Sequence, residues 1–575
     1  MCRRHKVGMR RLWLFALPVL AWPLVLESAG RPVPSPAVLK RIEAGFERYG
    51  IVHFSINTFT DREWGYGNES PALFNPTAFD ANQIVGACKD GGLQGLIVVA
   101  KHHDGFCLWP TKTTEHNIAK TPFWRSQGPG VGSQGRDYVK EMEQACRRAG
   151  IKFGVYCSPW DRNNAHYATD RYVKIFHEQI RELLDGRYGD VFELWLDNAN
   201  GGDGYYGGVC ERRKIPIGYY RLDDVLRFVR ASQPDVCIFN EDEMADFRWP
   251  GNESGILDEN CRATGLRFDI AKYDAYMAWA DKGTTEGVCF HPPEADFPLR
   301  QGWFYHAAHD GFDRSPEFLM KIYLRTCGNG GAMNVGIAPD RRGLLPDEDV
   351  NALRGFEAIR QAFFGRKVAS GDGFNVVVMK EDVSLGERID GWELVLDGRV
   401  LTSGRSIGIK RIRVLGKIEK GVDLKVCLTK SFGKPGAVVC ELFAVDPELV
   451  RKVMQSEAPE PPKASFENVG IPTLKMHSSQ VYMFKGTRTF SSVTVAPDKS
   501  ALGGTPVVFR LSFSMDGETW KTDPGMHRLD NVGANPIPQT VTLGRIERAR
   551  YVRLEAERLL QDGARLSTVG LTLGD

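Results

Sequence analysis

Asp197 stands where a carboxylate can do chemistry. It closes the apolar run Glu193-Leu-Trp-Leu and precedes a loop, residues 198–208, that contains five glycines. Because glycine has no Cβ atom, such a loop lets the backbone approach a ligand closely. A carboxylate here can act as a nucleophile at a sugar acetal, provided that a second carboxyl group lies about 5 to 5.5 Å away. An aspartate that only caps the next turn is the alternative interpretation.

Four downstream residues are candidates for that second carboxyl group: Glu241, Asp242, Glu243 and Glu253. Glu253 lies in residues 247–255, a segment rich in aromatic residues and glycine that follows a predicted strand. An apolar wall raises the pKa of a carboxyl group, as a general acid requires. We therefore predict Glu253 as the acid/base, whereas the three consecutive acidic residues are typical of a solvated or locally bonded cluster.

Histidines follow the strands predicted before Asp197. His53 lies in the first strand, and His102 and His103 follow the second. Neighbours within a strand point to opposite faces, so an adjacent pair is poorly arranged to chelate one metal ion. Just past a strand end, both histidines can instead reach hydroxyl groups. We predict no metal and no cofactor; histidines that only pack in the core are the alternative.

The elements that must position these residues alternate along the first two thirds of the chain. Predicted helices separate the predicted strands, which favours parallel pairing and, at this length, a (β/α)8-type barrel with its active site at the carboxyl ends of the strands. A doubly wound sheet would alternate in the same way, but no glycine-rich phosphate loop follows an early strand. The predicted strands are Ile51–Phe59, Leu96–Ala100, Phe153–Cys157, Phe192–Asp197 and Val236–Asn240, and the helices are Ala81–Lys89, Arg136–Arg148, Arg171–Leu184 and Leu222–Ala231, with Asp80 and Asp170 as N-caps.

After about Lys367 the pattern changes to alternating apolar and polar runs, which indicates β-sandwiches. Predicted strands include Trp392–Leu396, Leu424–Leu428 and Val507–Phe513, and a proline-containing segment, residues 456–463, is typical of a linker. We therefore predict four parts: a signal peptide (1–30), a catalytic barrel (31–366) and two sandwiches (367–455 and 456–575).

The bulk composition excludes some partners. The 575 residues carry 74 basic and 72 acidic side chains, so there is no electrostatic reason to expect nucleic acid. The N-terminus has basic residues, an apolar run from Leu12 to Leu26 and then small residues, the order of a secretory signal. We predict export to a periplasm or the extracellular space; a retained membrane anchor is the alternative, although prolines interrupt the run.

Several separated motifs resemble those of the α-L-fucosidases of glycoside hydrolase family 29. The resemblance covers about residues 46–364. Its motifs are Ile51-Val-His-Phe, Glu63-Trp-Gly, Ala100-Lys-His-His-Asp-Gly-Phe, Tyr156-Cys-Ser-Pro-Trp-Asp-Arg, Glu193-Leu-Trp-Leu-Asp-Asn, Arg248-Trp-Pro-Gly-Asn-Glu, Gly302-Trp-Phe-Tyr and Cys327-Gly-Asn-Gly-Gly-Ala-Met-Asn-Val.

The resemblance implies a role for each site residue. Asp197 corresponds to the nucleophile and Glu253 to the acid/base of a retaining, double-displacement mechanism. The resemblance further implies that hydroxyl groups of fucose bind His53, Glu63, His102, His103 and Tyr156, with Trp64 and Trp303 as aromatic walls. Within the family, the motifs most resemble those of the subfamily that acts on α-1,3 and α-1,4 links. Fucosylated oligosaccharides or glycoproteins are therefore the expected partners. The two C-terminal modules resemble galactose-binding-like and discoidin-like sandwiches.

Two other functions stay open at this point. One is a weak or inactive hydrolase barrel that acts as a carbohydrate-binding protein, and the other is a barrel glycosidase for a different sugar.

Overall fold

The structure is a computed structural model of the 575-residue chain. It describes residues 21–25, 30–126, 135–200, 202–240, 245–267, 273–311, 314–459, 469–475, 478–533 and 535–574. Most of the predicted signal, most of the predicted linker and the acidic cluster Glu241, Asp242 and Glu243 lie outside the described residues. No helix within the described ranges is long and apolar enough to cross a membrane.

The strands in chain order are β1 (Ala21–Val25), β2 (Arg48–Val52), β3 (Gly95–Lys101), β4 (Lys152–Cys157), β5 (Val191–Trp195), β6 (Asp203–Tyr206), β7 (Val209–Arg212), β8 (Cys237–Phe239), β9 (Thr264–Gly265), β10 (Cys289–Phe290), β11 (Glu294–Pro298), β12 (Ala332–Ile337), β13 (Phe374–Glu381), β14 (Ile389–Leu396), β15 (Arg399–Gly404), β16 (Arg411–Glu419), β17 (Leu424–Ser431), β18 (Val438–Phe443), β19 (Val469–Lys475), β20 (Ser479–Pro497), β21 (Pro506–Ser514), β22 (Lys521–Thr522), β23 (His527–Arg528), β24 (Gln539–Leu559) and β25 (Thr568–Gly574). The α-helices are α1 (Pro36–Glu43), α2 (Ile56–Thr60), α3 (Ala81–Asp90), α4 (Pro122–Arg125), α5 (Tyr138–Ala149), α6 (Asp170–Leu184), α7 (Leu222–Ser232), α8 (Tyr273–Met277), α9 (Pro316–Thr326), α10 (Asp347–Phe364) and α11 (Pro447–Gln455).

Seven parallel strands form the barrel, in the spatial order β11-β12-β2-β3-β4-β5-β8. The segment Phe247-Arg248 lies between the two outer strands, since Phe247 forms a parallel bridge with Phe239 and Arg248 forms one with Pro293. Every residue of β3 and of β12 is buried, as expected for strands covered on both faces. The predicted (β/α)8-type barrel is confirmed, and the doubly wound alternative is wrong.

The predicted strands and helices of the barrel are found within a few residues of their positions, with two corrections. The first strand ends at Val52 rather than Phe59, because Ile56–Thr60 forms α2. Asp80 caps α3 by accepting hydrogen bonds from the backbone of Asn82 and Gln83. Asp170 is not an N-cap: it is the first residue of α6, and Thr169 occupies the cap position.

Two antiparallel structures follow the barrel. In the first, an antiparallel sheet of order β17-β14-β15 and a sheet of order β16-β13-β18 share an apolar core around Trp392 and Met379. The strand β1, which falls within the predicted signal, pairs in parallel with β17. In the second, the strands from β19 onward form one sheet, in which the 19-residue β20 and the 21-residue β24 pair along most of their length. Register breaks between Met483 and Arg488 and after Phe490 bend this pair, and the sheet encloses its own apolar core. The expectation of C-terminal sandwich structure is confirmed.

Candidate active site

A cavity of about 390 Å³ opens at the carboxyl ends of the barrel strands, within the size range of small-molecule sites. His53 directly follows β2, and His102 and His103 directly follow β3. Tyr156 lies in β4, and Asp197 comes two residues after β5. Parallel strands bring such residues to one edge of the barrel. The described residues lining the cavity are Ile51, His53, Trp64, His102, His103, Tyr156, Trp195, Asp197, Asn198, Ala199, Asn200, Phe239, Trp249, Glu253, Asp296, Trp303 and Asn531.

The Asp197 carboxylate is held by two donors. The Tyr156 hydroxyl donates to Oδ2 at 2.9 Å, and the backbone N–H of Ala199 donates to Oδ1 at 2.6 Å. The strand end is fixed in turn by Asn240, whose amide donates to the carbonyl of Leu196 at 3.0 Å. The Asp197 side chain stays 22% exposed, so its carboxylate remains accessible from the cavity.

Glu253 lines the same cavity from the loop after Phe247-Arg248. The buried guanidinium of Arg248 anchors the start of this loop by donating to the carbonyls of Ala280 and Arg262 at 2.8 and 2.9 Å. Burial raises the pKa of Glu253 to about 8, although hydrogen bonds from Asn531 and Trp303 lower it. The Trp303 indole donates to Oε2 at 3.0 Å. Glu253 is therefore protonated at neutral pH, the state that a general acid needs.

The histidines of the cavity are neutral. Burial lowers the pKa values of His53 and His103 to about 4 and that of His102 well below its ordinary value. Nδ1 of His103 lies 2.8 Å from the Ser158 hydroxyl, which itself donates to the carbonyl of Trp160 at 2.9 Å. Ser158 must therefore accept from Nδ1–H, and this assigns the lone pair of His103 to Nε2.

That lone pair faces the nucleophile candidate. Nε2 of His103 lies 3.8 Å from Oδ2 of Asp197, which is beyond hydrogen-bond distance. Both atoms are acceptors, so they present a site for hydroxyl donors. A neutral imidazole beside a carboxylate suits a polyhydroxylated, uncharged ligand.

Aromatic rings supply apolar surface to the cavity. The Trp195 ring stacks on Tyr156 with centroids 5.1 Å apart and on Phe239 at 3.9 Å. Trp64 meets His103 edge to face at 5.1 Å, and Trp303 lies 5.0 Å from His53. Trp64 and Trp303 are thus on the cavity wall, where a sugar ring can pack against them.

Glu63 is the one predicted binding residue that does not line this cavity. Its Oε2 accepts from the backbone N–H of Trp303 at 2.9 Å, and its Oε1 accepts from that of Phe304 at 3.2 Å and faces His306 Nε2 at 2.7 Å. Glu63 instead borders a neighbouring cavity of about 380 Å³ between the barrel and the last sheet. Its carboxylate supports the backbone that carries Trp303.

Among the lining residues that sequence reasoning missed, Asp296 and Asn531 interact with Glu253. Asp296 lies in β11, where burial and then the nearby Glu253 raise its pKa well above the ordinary value. Its sequence signal was the alternation Glu294-Ala-Asp296, which puts two acidic side chains on one face of a strand. Asn531 belongs to the last sheet, more than 270 positions beyond Glu253, and carries no comparable signal.

A barrel that presents an accessible carboxylate and a protonated carboxyl group in one apolar, hydroxyl-accepting cavity has what cleavage of a glycosidic bond requires. The fold and the site thus define the chain as a glycosidase.

Comparison with known sequences narrows this class. The protein-family model described as Alpha-L-fucosidase matches residues 42–358, more than half of the chain. The chain therefore belongs to the alpha-L-fucosidase family. It is 34% identical to Alpha-L-fucosidase 1 of Arabidopsis thaliana over 320 residues, which cover 56% of this chain and 59% of the plant protein. It is 28% identical to Putative alpha-L-fucosidase 1 of Oryza sativa subsp. japonica over 519 residues, 81% of this chain and 92% of that one.

Solved structures extend the likeness to nearly the whole chain. A glycoside hydrolase 29 family member from an unknown rumen bacterium has a TM-score of 0.66 and 28% identity, covering 95% of this chain and 100% of that one. A putative alpha-L-fucosidase from Bacteroides ovatus has a TM-score of 0.64 and 30% identity, covering 94% and 95%.

Proposed function

We propose that this chain is an exo-acting, retaining α-L-fucosidase that removes terminal α-1,3- or α-1,4-linked fucose from oligosaccharides or glycoproteins. The observation that carries the proposal is that Asp197 and the protonated Glu253 line one cavity together with three neutral histidines. Membership of the family supports the choice of fucose. The motifs around Trp64 and Ser158-Pro-Trp-Asp-Arg support the choice of linkage.

In the first half-reaction, Asp197 attacks the anomeric carbon and forms a covalent glycosyl ester. The bond from that carbon to the glycosidic oxygen breaks, and Glu253 gives its proton to the departing oxygen. The hydrogen bond from Tyr156 holds the attacking carboxylate and stabilises it again when it leaves. His103 accepts a sugar hydroxyl through Nε2.

In the second half-reaction, a water molecule attacks the same carbon. Glu253, now a carboxylate, takes the proton of the water, and the Asp197 ester is released. Two inversions at one carbon give net retention. Glu253 ends protonated, ready for the next cycle.

The first test replaces the two carboxyl groups separately. Asp197→Ala should lose turnover by at least about a thousandfold with an unchanged circular dichroism spectrum, because the variant lacks the carboxylate that attacks the anomeric carbon. Glu253→Gln should slow fucosides with poor leaving groups far more than activated aryl fucosides, since only the former need a proton. Equal slowing of both substrates would move the acid/base role to another residue.

A second measurement addresses the substrate and stereochemistry. A panel of nitrophenyl glycosides and Lewis-type trisaccharides should yield free fucose only from fucosides, and proton NMR should show the α-anomer first. Binding of the glycans without release of fucose would identify a carbohydrate-binding protein instead, and release of another sugar would identify a different glycosidase.

We also propose that the chain is exported, that the signal is removed near residue 30, and that the remainder divides at about residues 366 and 455. The basic, apolar and small order of the N-terminal residues supports export. N-terminal sequencing of the mature protein after expression with its own leader checks this, and an intact N-terminus would contradict it.

A further inference from the structure

The cavity receives one side chain from the far end of the chain. Asn531 lies between β23 and β24, and of the described residues that line the cavity it alone lies beyond the barrel. Its Nδ2 is 3.1 Å from Oε1 and 3.2 Å from Oε2 of Glu253. One amide group of the last sheet thus contacts both oxygens of the proposed acid/base.

The loop that carries Asn531 is held on both sides. Asn531 has a φ of +53°, a left-handed conformation that asparagine adopts more readily than most residues. Its carbonyl accepts from the backbone N–H of Asn535 at 2.8 Å, and the Asn535 amide donates to the carbonyl of Gln301 in the barrel at 2.9 Å. Arg528 forms an ion pair with Asp203, again across the boundary between the last sheet and the barrel. The contact with Glu253 is therefore part of a built interface.

The chemistry of the contact depends on what an amide can donate. Trp303 donates to Oε2 of Glu253 from the barrel side, and Asn531 donates from the side of the last sheet. Donors stabilise the carboxylate, which is the form that Glu253 takes between proton donation and recovery of the proton from water. They also fix the plane of the carboxyl group.

We propose that Asn531 is a positioning residue through which the C-terminal sheet orients Glu253 and stabilises its carboxylate during each catalytic cycle. The proposal rests on the acid/base role of Glu253 proposed above. It makes the active site a composite of two parts of the chain and puts Asn531 next to the leaving group, because the acid/base must reach the glycosidic oxygen.

Three other carboxyl groups interact electrostatically with Glu253: Asp197, Asp296 and Glu63. Each acts against ionisation of Glu253, as does burial. The donors Asn531 and Trp303 act in the opposite direction. Replacing the Asn531 donor by a carboxylate should therefore raise the pKa of Glu253 further.

The test measures kcat/KM against pH for the full-length protein and two variants. Asn531→Asp keeps the size of the side chain but replaces the donor by a negative charge. The alkaline limb of the kcat/KM profile should therefore shift to higher pH by about one pH unit or more. Asn531→Gly keeps the positive φ without strain and removes the amide, so kcat/KM on a Lewis-type trisaccharide should fall by about 10- to 100-fold. Activity on an activated aryl fucoside should fall much less.

Asn535→Ala is the matched control, because it loosens the same loop without touching Glu253. Because the Asn531 amide is still present, this variant should change the alkaline limb of the pH profile and the ratio between the two substrates much less than Asn531→Gly does. A double variant with Glu253→Gln should show almost no further loss from Asn531→Gly, since the amide acts through the carboxyl group.

Two outcomes would overturn the proposal. One is that Asn531→Gly slows both substrates equally and that its loss of activity is fully additive with that of Glu253→Gln. The other is that Asn535→Ala has the full effects of Asn531→Gly. If Glu253→Gln alone shows no dependence on the leaving group, it is instead the acid/base assignment of the proposed function that fails.

Discussion

At the scale of single residues, neighbours decide what each carboxyl group of the cavity can do. Asp197 takes two hydrogen bonds and stays accessible, which suits a nucleophile. Glu253 is desolvated, and its pKa of about 8 suits an acid. Asp296 lines the same cavity, where burial and then the nearby Glu253 raise its pKa well above the ordinary value. Carboxyl groups of the same chemical type thus have different properties within one site.

His306 links the stability of this site to pH. Its Nδ1 lies 2.9 Å from Asp61 and its Nε2 lies 2.7 Å from Glu63, the residue that supports Trp303. Burial lowers the pKa of His306, but these two hydrogen bonds outweigh burial and raise it to about 9. The charged imidazolium therefore stabilises the folded state fully below its unfolded pKa of about 6.5, and this stabilisation is lost as the pH rises through about 9.

We predict that His306→Gln lowers the free energy of unfolding by about 1 to 3 kcal/mol at pH 6 and by much less at pH 10. Urea denaturation of both proteins at the two pH values measures the difference. A difference that does not change with pH would show that His306 contributes through packing and not through its charge.

At the scale of elements, the loop after Phe247-Arg248 must hold Glu253 against the cavity. Gly255 has a φ of +72°, and a Cβ atom at this position would lie 2.4 Å from Cδ1 of Phe297 and 2.8 Å from Cγ2 of Ile322. The loop therefore packs against β11 and α9 at a point where only glycine fits.

Gly255→Ala should lower the free energy of unfolding by about 2 to 4 kcal/mol and reduce activity, because the loop must move and carry Glu253 with it. Gly150 is a matched control: its φ is also +72°, and nothing lies within 4 Å of its ideal Cβ position. Gly150→Ala should cost only the conformational strain, about 1 to 2 kcal/mol, with activity unchanged. Equal effects of the two variants would contradict the packing argument.

At the scale of the whole molecule, buried charges join the first sandwich to the barrel. Lys410, between β15 and β16, pairs with Glu47, the residue just before β2. Burial acts against ionisation of Glu47, but Lys410 and Arg48 outweigh it and hold its pKa below the ordinary value. Tyr323 also donates to Oε1 of Glu47 at 2.8 Å. The sandwich thus neutralises a buried charge of the barrel.

Lys410→Met should lower the free energy of unfolding by about 2 to 4 kcal/mol, because it removes the buried cation that pairs with Glu47 and leaves only Arg48 and Tyr323 to stabilise that carboxylate. Lys417→Met is the control in the same module: Lys417 is 74% exposed and lies 3.9 Å from Glu419, so its loss should change stability by less than about 1 kcal/mol. Thermal unfolding of both variants checks the difference, and an equally mild effect would show that the buried pair contributes nothing net.

The sequence by itself determined the barrel, the sandwich structure after it, and the residues at the strand ends. Alternating apolar strands and amphipathic helices are local patterns, and parallel pairing brings the ends of successive strands to one edge whatever the details of packing. His53, His102, His103, Tyr156 and Asp197 could therefore be predicted to share a site. Glu253 could be ranked above its neighbours from the composition of its loop.

Only the tertiary structure decided which of the remaining side chains reach the cavity. Glu63 lies behind Trp303, and Asp296 and Asn531 enter in its place. The contact between Asn531 and Glu253 joins residues 278 positions apart, a separation over which no local pattern constrains the chain. The pKa of Glu253 likewise depends on burial by segments distant in the sequence. The succession of strands and helices along the chain follows from local sequence patterns. Packing across module boundaries and the exclusion of water from buried groups arise only in the folded molecule.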